Sequence, residues 1–430
     1  MSLRRILMSV LLLCMAQAPA WAQTGHGHQH ADERPQGHAQ LPTAVPPTGH
    51  AHGGGHGMIF AGSEKFPTIA YDEEKPIRAV ERVSPPAISG DPHMGRHLAY
   101  AADKGACLSC HVLGPDADQP GNVGPDLSTY GRSSRSDAYT FQQVWDARAH
   151  NPASAMPPFG TNGILTRHEA MHIVAYLNTL NHHVEPPARS QPPLPNFDVA
   201  GEDFTLADMY VARGEALFRE AGDNGKPCAS CHAAPGREGP GLERAAATYP
   251  RYDAGLDRVI GLEQRINVCR TKHQHGTPYP LGGEPSNLLT SYVKYLSRGT
   301  PLDVAVDGPA AAALERGKAS FLRKAGRLNF SCADCHTGNA GKWLRGQPLS
   351  GIAPDGEHSA TAATWPRHFI AGHDLGLISL RQRAQHCQIV TQTYPLPLHA
   401  QEYTELELYL SSLANGAPML APTMSRLSDR

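Results

Sequence analysis

The chain has 430 residues, a formal net charge of −2, 40% hydrophobic residues and 37 prolines. With no basic excess, nucleic acid is excluded as the expected partner. The modest apolar fraction and high proline content argue against one large core and favour several small units with long connections.

Residues 1–22 read as a secretory signal peptide. Arg4 and Arg5 precede an apolar run from Ile6 to Met15, and Ala20-Trp21-Ala22 places cleavage near Ala22. The periplasm is the expected compartment. No other run approaches the ~18 apolar residues of a membrane span, so no membrane anchor is expected. Residues 23–84 are rich in His, Gly and Pro and are expected to be disordered. Their His26, His28, His30, His38, His50, His52 and His56 could bind copper or another metal, although a solvated tail is the plainer reading.

Three units follow, at 85–182, 204–302 and 303–430, with a proline-rich linker at 183–203 acting as a semi-rigid spacer. Each unit opens with a short helical pattern leading into Cys-x-x-Cys-His: Cys107, Cys110 and His111; Cys228, Cys231 and His232; Cys332, Cys335 and His336. Each motif is an attachment signal for haem c, in which the cysteines form thioethers and the histidine ligates iron. Three copies in one local context predict three covalent haems.

After the motif the first two units read Gly124-Pro125-Asp126-Leu127 and Gly239-Pro240-Gly241-Leu242, and the third Gly346-Gln347-Pro348-Leu349. The units resemble class I cytochromes c, which implies that a carbonyl in this loop accepts the proximal histidine's ring N–H. Each unit ends in an amphipathic helix with Tyr-Leu, at Tyr176, Tyr295 and Tyr409, expected to pack on the opening helix. The expected fold is all-α: three tandem class I cytochrome c-like domains, each with one haem.

The second axial ligand differs among the units. Met156, in Met156-Pro157-Pro158-Phe159-Gly160, looks like a distal methionine, which favours ferrous iron. The other two units have cysteine at this slot: Gln264-Arg265-x-x-x-Cys269 and Gln382-Arg383-x-x-x-Cys387. We read Cys269 and Cys387 as axial thiolates, which favour ferric iron. The alternatives are a Cys269–Cys387 disulfide, inert buried thiols, and bis-histidine ligation through His273 or His386.

These features together resemble a fused SoxXA sulfur-oxidation cytochrome. Residues 95–180 are similar to SoxX through Gln119-Pro120-Gly121-Asn122-Val123-Gly124-Pro125, Tyr139-Thr140-Phe141-Gln142-Gln143 and the Met156 loop. Residues 204–426 are similar to diheme SoxA through Glu402–Ser412, Ala414-Asn415-Gly416 and both Arg-x-x-x-Cys segments.

The resemblance implies an L-cysteine S-thiosulfotransferase. Such an enzyme joins thiosulfate oxidatively to a cysteine of the SoxYZ carrier and passes two electrons to a small periplasmic cytochrome c. It implies catalysis at the His336/Cys387 haem, a persulfide on Cys387, Arg383 as the catalytic arginine, and a middle haem, His232/Cys269, dispensable for turnover. The family pattern also has a lysine upstream of this cysteine, where this chain reads His373-Asp374-Leu375-Gly376.

Residues 316–395 hold ten Lys/Arg against four Asp/Glu, an excess suited to a dianionic substrate, with Arg345 and Arg367 as further pocket candidates. Thiosulfate dehydrogenation to tetrathionate and simple multihaem electron transfer are the competing functions.

Overall fold

The computed structural model describes residues 69–70, 78–117, 119–186, 197–199, 202–204, 206–232, 241–352, 359–370 and 374–426. The signal peptide, the seven histidines and most of the proline-rich linker lie outside the described residues. Residues 59–196 and 205–430 gather into one compact unit. The other unit contributes two described strands, Phe197–Val199 and Glu202–Phe204, paired antiparallel where linker was expected.

Three helix pairs build the large unit. Helix α1 (Pro92–Tyr100) begins at Asp91, whose carboxylate accepts the His93 and Met94 N–H groups, with Pro92 in the first turn. Helices α2 (Asp137–Trp145) and α3 (Arg167–Asn178) follow, the latter started by a Thr166/Glu169 capping box. The middle segment holds α4 (Leu206–Arg219), α5 (Leu262–His273) and α6 (Glu284–Leu296). The last holds α7 (Ala311–Leu322), the short α8 (Cys332–His336), α9 (Leu380–Val390) and α10 (Gln401–Ser412).

Opening and closing helices cross in each segment: α1 on α3, α4 on α6, and α7 on α10. A glycine marks each crossing. Gly95 lies against the His172 carbonyl, Gly214 against that of Leu288 and Gly317 against that of Glu405, so that a Cβ would overlap the carbonyl. Tyr176, Tyr292 and Tyr409, four residues further along the closing helices, complete each contact. Aromatics from the opening side meet these tyrosines with ring centroids 6.4 Å (Tyr100–Tyr176), 5.1 Å (Phe218–Tyr292) and 5.4 Å (Phe321–Tyr409) apart. In the middle segment the face therefore centres on Tyr292 rather than Tyr295. Replacing Gly317 by Ala is expected to cost ~3 kcal/mol through overpacking. A lowered denaturation midpoint would check it.

The all-α expectation holds for the helix pairs but omits small sheets. Arg251–Asp253 pairs antiparallel with Arg258–Ile260. Arg367–Ile370 is the central strand between Thr423–Arg426, parallel to it, and Asp374–Ile378, antiparallel. Trp343–Leu344 and Gln347–Pro348 form a ribbon.

The cores also divide differently from the three expected units. The first segment has its own core around Phe141, Ile173 and Val174. The middle and last segments share one, in which Tyr249, Ile260 and Val293 pack with Phe321, Tyr409 and Met419. Segments this small gain buried area by merging.

Part of the N-terminal stretch expected to be disordered is ordered. Gln142 accepts from the Val83 N–H at 2.9 Å and donates to the Glu81 carbonyl at 3.0 Å, standing in for a strand partner. Arg78 and Arg82 each reach a carbonyl of the first segment, at Thr161 and Ala149. Ile69–Ala70 pairs in parallel with Thr393–Tyr394, just beyond α9.

The first segment docks directly on the last. The Arg345 N–H donates to the Ser109 carbonyl at 3.0 Å, inside the first Cys-x-x-Cys-His motif. Asn122 and Trp343 exchange two hydrogen bonds, at 3.0 and 2.7 Å. At a second contact Asn162 donates to the Arg327 carbonyl, Arg327 donates to that of Gly163, and Leu328 enters the first core. We therefore expect that cutting the chain between 187 and 196 leaves the two fragments associated. Co-elution on gel filtration would check this, and separation would make the linker the only tether.

Candidate active site

The proximal histidines show what each motif can bind. His111 Nδ1 donates to the Pro125 carbonyl at 2.7 Å and His336 Nδ1 to that of Ser350 at 2.9 Å. A carbonyl only accepts, so Nδ1 carries the proton and Nε2 keeps its lone pair for a metal. Both acceptors lie fourteen residues after the histidine. Ser350 is thus the third segment's counterpart of Pro125, and the Gly346–Leu349 stretch compared with it is out of register. Gly124 lets the His111 ring lie flat: a Cβ there would fall 2.6 Å from Nδ1. For the middle motif, Gly239 and Pro240 lie outside the described residues.

Cys387 projects from α9 towards the third motif. The helix begins at Ser379, whose hydroxyl and N–H pair with Gln382 in a capping box. The glutamine of Gln-Arg-x-x-x-Cys thus sets the start of the helix, and Arg383 and Cys387 follow one turn apart on one face. The Cys387 thiol is a hydrogen-bonding neighbour of His336, and its charge acts on Cys332 and Cys335. Two attaching thiols with an imidazole and a second sulfur facing each other form the donor set of a six-coordinate haem c. These residues fit the group. Cys335 also feels Cys110, so the first and third motifs are adjacent.

Burial pushes the Cys387 thiol up, but the Arg383 guanidinium and then the His336 bond outweigh it, and the thiol is held below its ordinary value. Cys269 in α5 has the same pattern and the opposite result. Burial raises its thiol, and Arg265 offsets only part. Arg265 is drawn off by Asp253, 3.0 Å away. Both cysteines are free, which removes the disulfide alternative. His386 is buried, with its imidazole pushed down to about 3 by burial and then Arg383. Cys228 borders a cleft with Ile266, Arg270 and Tyr279.

In the first segment Met156 packs on the core that holds Leu108, its Sδ 4.0 Å from Gln143 Nε2.

Half of the basic side chains counted between residues 316 and 395 have structural partners. Arg316, Lys324 and Arg381 pair with Glu405, Asp334 and Glu263, while Lys342 and Arg327 bind carbonyls of the first segment. Arg345 serves through its backbone at the docking ribbon. Arg367 does approach the site: burial and then Arg383 lower it to about 10. His373 lies outside the described residues, and no helix among the described residues is long and apolar enough to cross a membrane.

Residues 213–302 match the family model "SoxA/TsdA, cytochrome c domain", and residues 94–177 match "Cytochrome C oxidase, cbb3-type, subunit III". The chain is 31% identical over 219 residues to the L-cysteine S-thiosulfotransferase subunit SoxA of Pseudaminobacter salicylatoxidans, covering 50% of this chain and 72% of that protein. To the SoxA subunit of Rhodovulum sulfidophilum it is 30% identical over 225 residues, covering 52% and 74%. The SoxXA structure from P. pantotrophus aligns with a TM-score of 0.45 at 28% identity, over 51% of this chain and 78% of that one. The chain is therefore a c-type cytochrome with covalent haem c, and it belongs to the SoxA family.

Proposed function

We propose that this protein is a periplasmic fusion of SoxX-like and SoxA-like parts that joins thiosulfate to a cysteine of a SoxYZ-type carrier. The observation that carries this is Cys387 on α9, a half-buried thiol beside His336 and held low by Arg383. We assign three haems to the motifs, which would be held by His111 and Met156, by His232 and Cys269, and by His336 and Cys387. When bound, the haem groups supply one-electron acceptors.

The remaining chemistry belongs to the side chains. Arg383 holds the sulfonate oxygens with its planar fork. The Cys387 sulfur and the terminal sulfur of thiosulfate form one S–S bond with loss of two electrons. A carrier thiolate then attacks the sulfur derived from thiosulfate and displaces the Cys387 thiolate, which is ordinary thiol–disulfide exchange. A persulfide on Cys387 would act in the same way with one more sulfur. The group held by the adjacent first motif would supply the exit for the electrons to a small cytochrome c.

The matched family model also covers TsdA, which favours a second reading: coupling of two thiosulfates to tetrathionate. The mass of a SoxYZ-type carrier after incubation with this protein, thiosulfate and oxidised cytochrome c decides between them. One added thiosulfate per carrier cysteine supports the transferase. Tetrathionate with an unmodified carrier supports the second reading, and neither product leaves electron transfer alone.

A further inference from the structure

The middle segment contributes residues to the helix that carries Cys387. Asn287, on α6, is 1% exposed. Its Nδ2 sits 2.9 Å from Gln382 Oε1, 3.0 Å from the Leu377 carbonyl and 3.2 Å from the Gly282 carbonyl. The chemistry fixes these orientations. The Ser379 N–H, 2.8 Å away, can only donate, so Gln382 must present its oxygen there, and Asn287 must present its amide nitrogen to that oxygen. Asn287 thereby ties together the strand before the N-cap and the capping glutamine after it.

A second tie comes from the same segment. Glu263 at the start of α5 forms an ion pair with Arg381, 3.6 Å from its Nε, and accepts a hydrogen bond from the Gly282 N–H at 3.1 Å. Arg381 and Gln382 are the two residues immediately before Arg383. The arrangement is reciprocal: Thr404, at the matching place in α10, donates to Gln264 Oε1, the capping glutamine of α5, at 3.1 Å. It is not equal, because Asn287 spans three acceptors and Thr404 donates to one.

We propose that the middle segment holds the first turn of α9 in register, with Asn287 the positioning residue for Arg383 and Cys387. This rests on the roles proposed above for those two residues. The middle segment then serves turnover through packing, independently of electron exchange at its own haem.

The test is Asn287→Asp, which sets a carboxylate against three acceptor oxygens, with the near-isosteric Asn287→Leu as the second variant should the first fold poorly. The readouts are the low-spin ferric EPR signals, kcat and KM for carrier modification, and the thermal midpoint. The signal of the third haem is assigned by its loss in Cys387→Met. We expect that signal to split or shift in both Asn287 variants, the first haem's signal to stay, and kcat to fall ~10- to 100-fold with a smaller change in KM. A third-haem signal and kcat that stay at wild-type values, with only the midpoint lowered, would overturn the inference alone. If the wild type shows no signal that depends on Cys387, the ligand assignment fails and the inference with it.

Discussion

Cys387→Met is expected to abolish carrier modification while the chain keeps every covalently attached haem. Attachment depends on the Cys-x-x-Cys pairs, which this change does not touch. Ligation is also expected to survive, because a thioether is a good iron ligand. What is lost is the nucleophile, since methionine sulfur cannot form and release an S–S bond. Intact-protein mass gives the haem count, and the carrier assay gives the activity. Retained activity would sink the assignment of Cys387.

Cys269→Met should behave differently, and the reason is local. Arg265 is engaged by Asp253 at 3.0 Å, and the Cys269 thiol stays above its ordinary value. Cys387 has the Arg383 charge acting on it with His336 beside it, and its thiol is held below its ordinary value. Two copies of one sequence pattern are thus tuned apart, in part by a carboxylate twelve residues before the middle arginine. Carrier modification near the wild-type rate is the expected result for Cys269→Met.

The features legible in the sequence were those with a fixed local spacing. The Cys-x-x-Cys-His motifs and the Arg-x-x-x-Cys turns lie within a few residues. Pro125 was legible as a loop carbonyl, and counting fourteen residues from His336 would have found Ser350. The contacts that assemble the segments carry no such spacing. Asn287 and Gln382 are 95 residues apart, and Asn122 and Trp343 are 221 apart. Each is an ordinary polar residue whose partner is set by how folded segments meet. The ten basic residues read as a substrate field in the same way, whereas five of them pair with carboxylates or carbonyls, three of these across the junctions.

Arg383→Ala is expected to lower kcat/KM for thiosulfate ~100-fold, roughly 3 kcal/mol of transition-state stabilisation. Two losses combine. The guanidinium holds the Cys387 thiol down against burial, so its removal leaves burial to raise the thiol. The same group is placed to grip the sulfonate, and a neutral methyl cannot. Arg383→Lys separates the two effects. It keeps the charge that favours thiolate but loses the planar fork, so the activity should recover only in part, with the remaining defect in KM. The sign of the pH effect follows from the thiol. With Arg383 present the thiolate persists below the ordinary thiol range, and without it the active form is confined to higher pH. The acid limb of the Arg383→Ala profile should therefore move to higher pH, and that of Arg383→Lys should stay near wild type. Arg367, lowered to about 10 by burial and then by Arg383, loses only the second of these in the alanine variant. Kinetics across pH with all three proteins, each checked for full haem content, would distinguish these outcomes. An unchanged kcat/KM in Arg383→Ala would remove the arginine from the reaction.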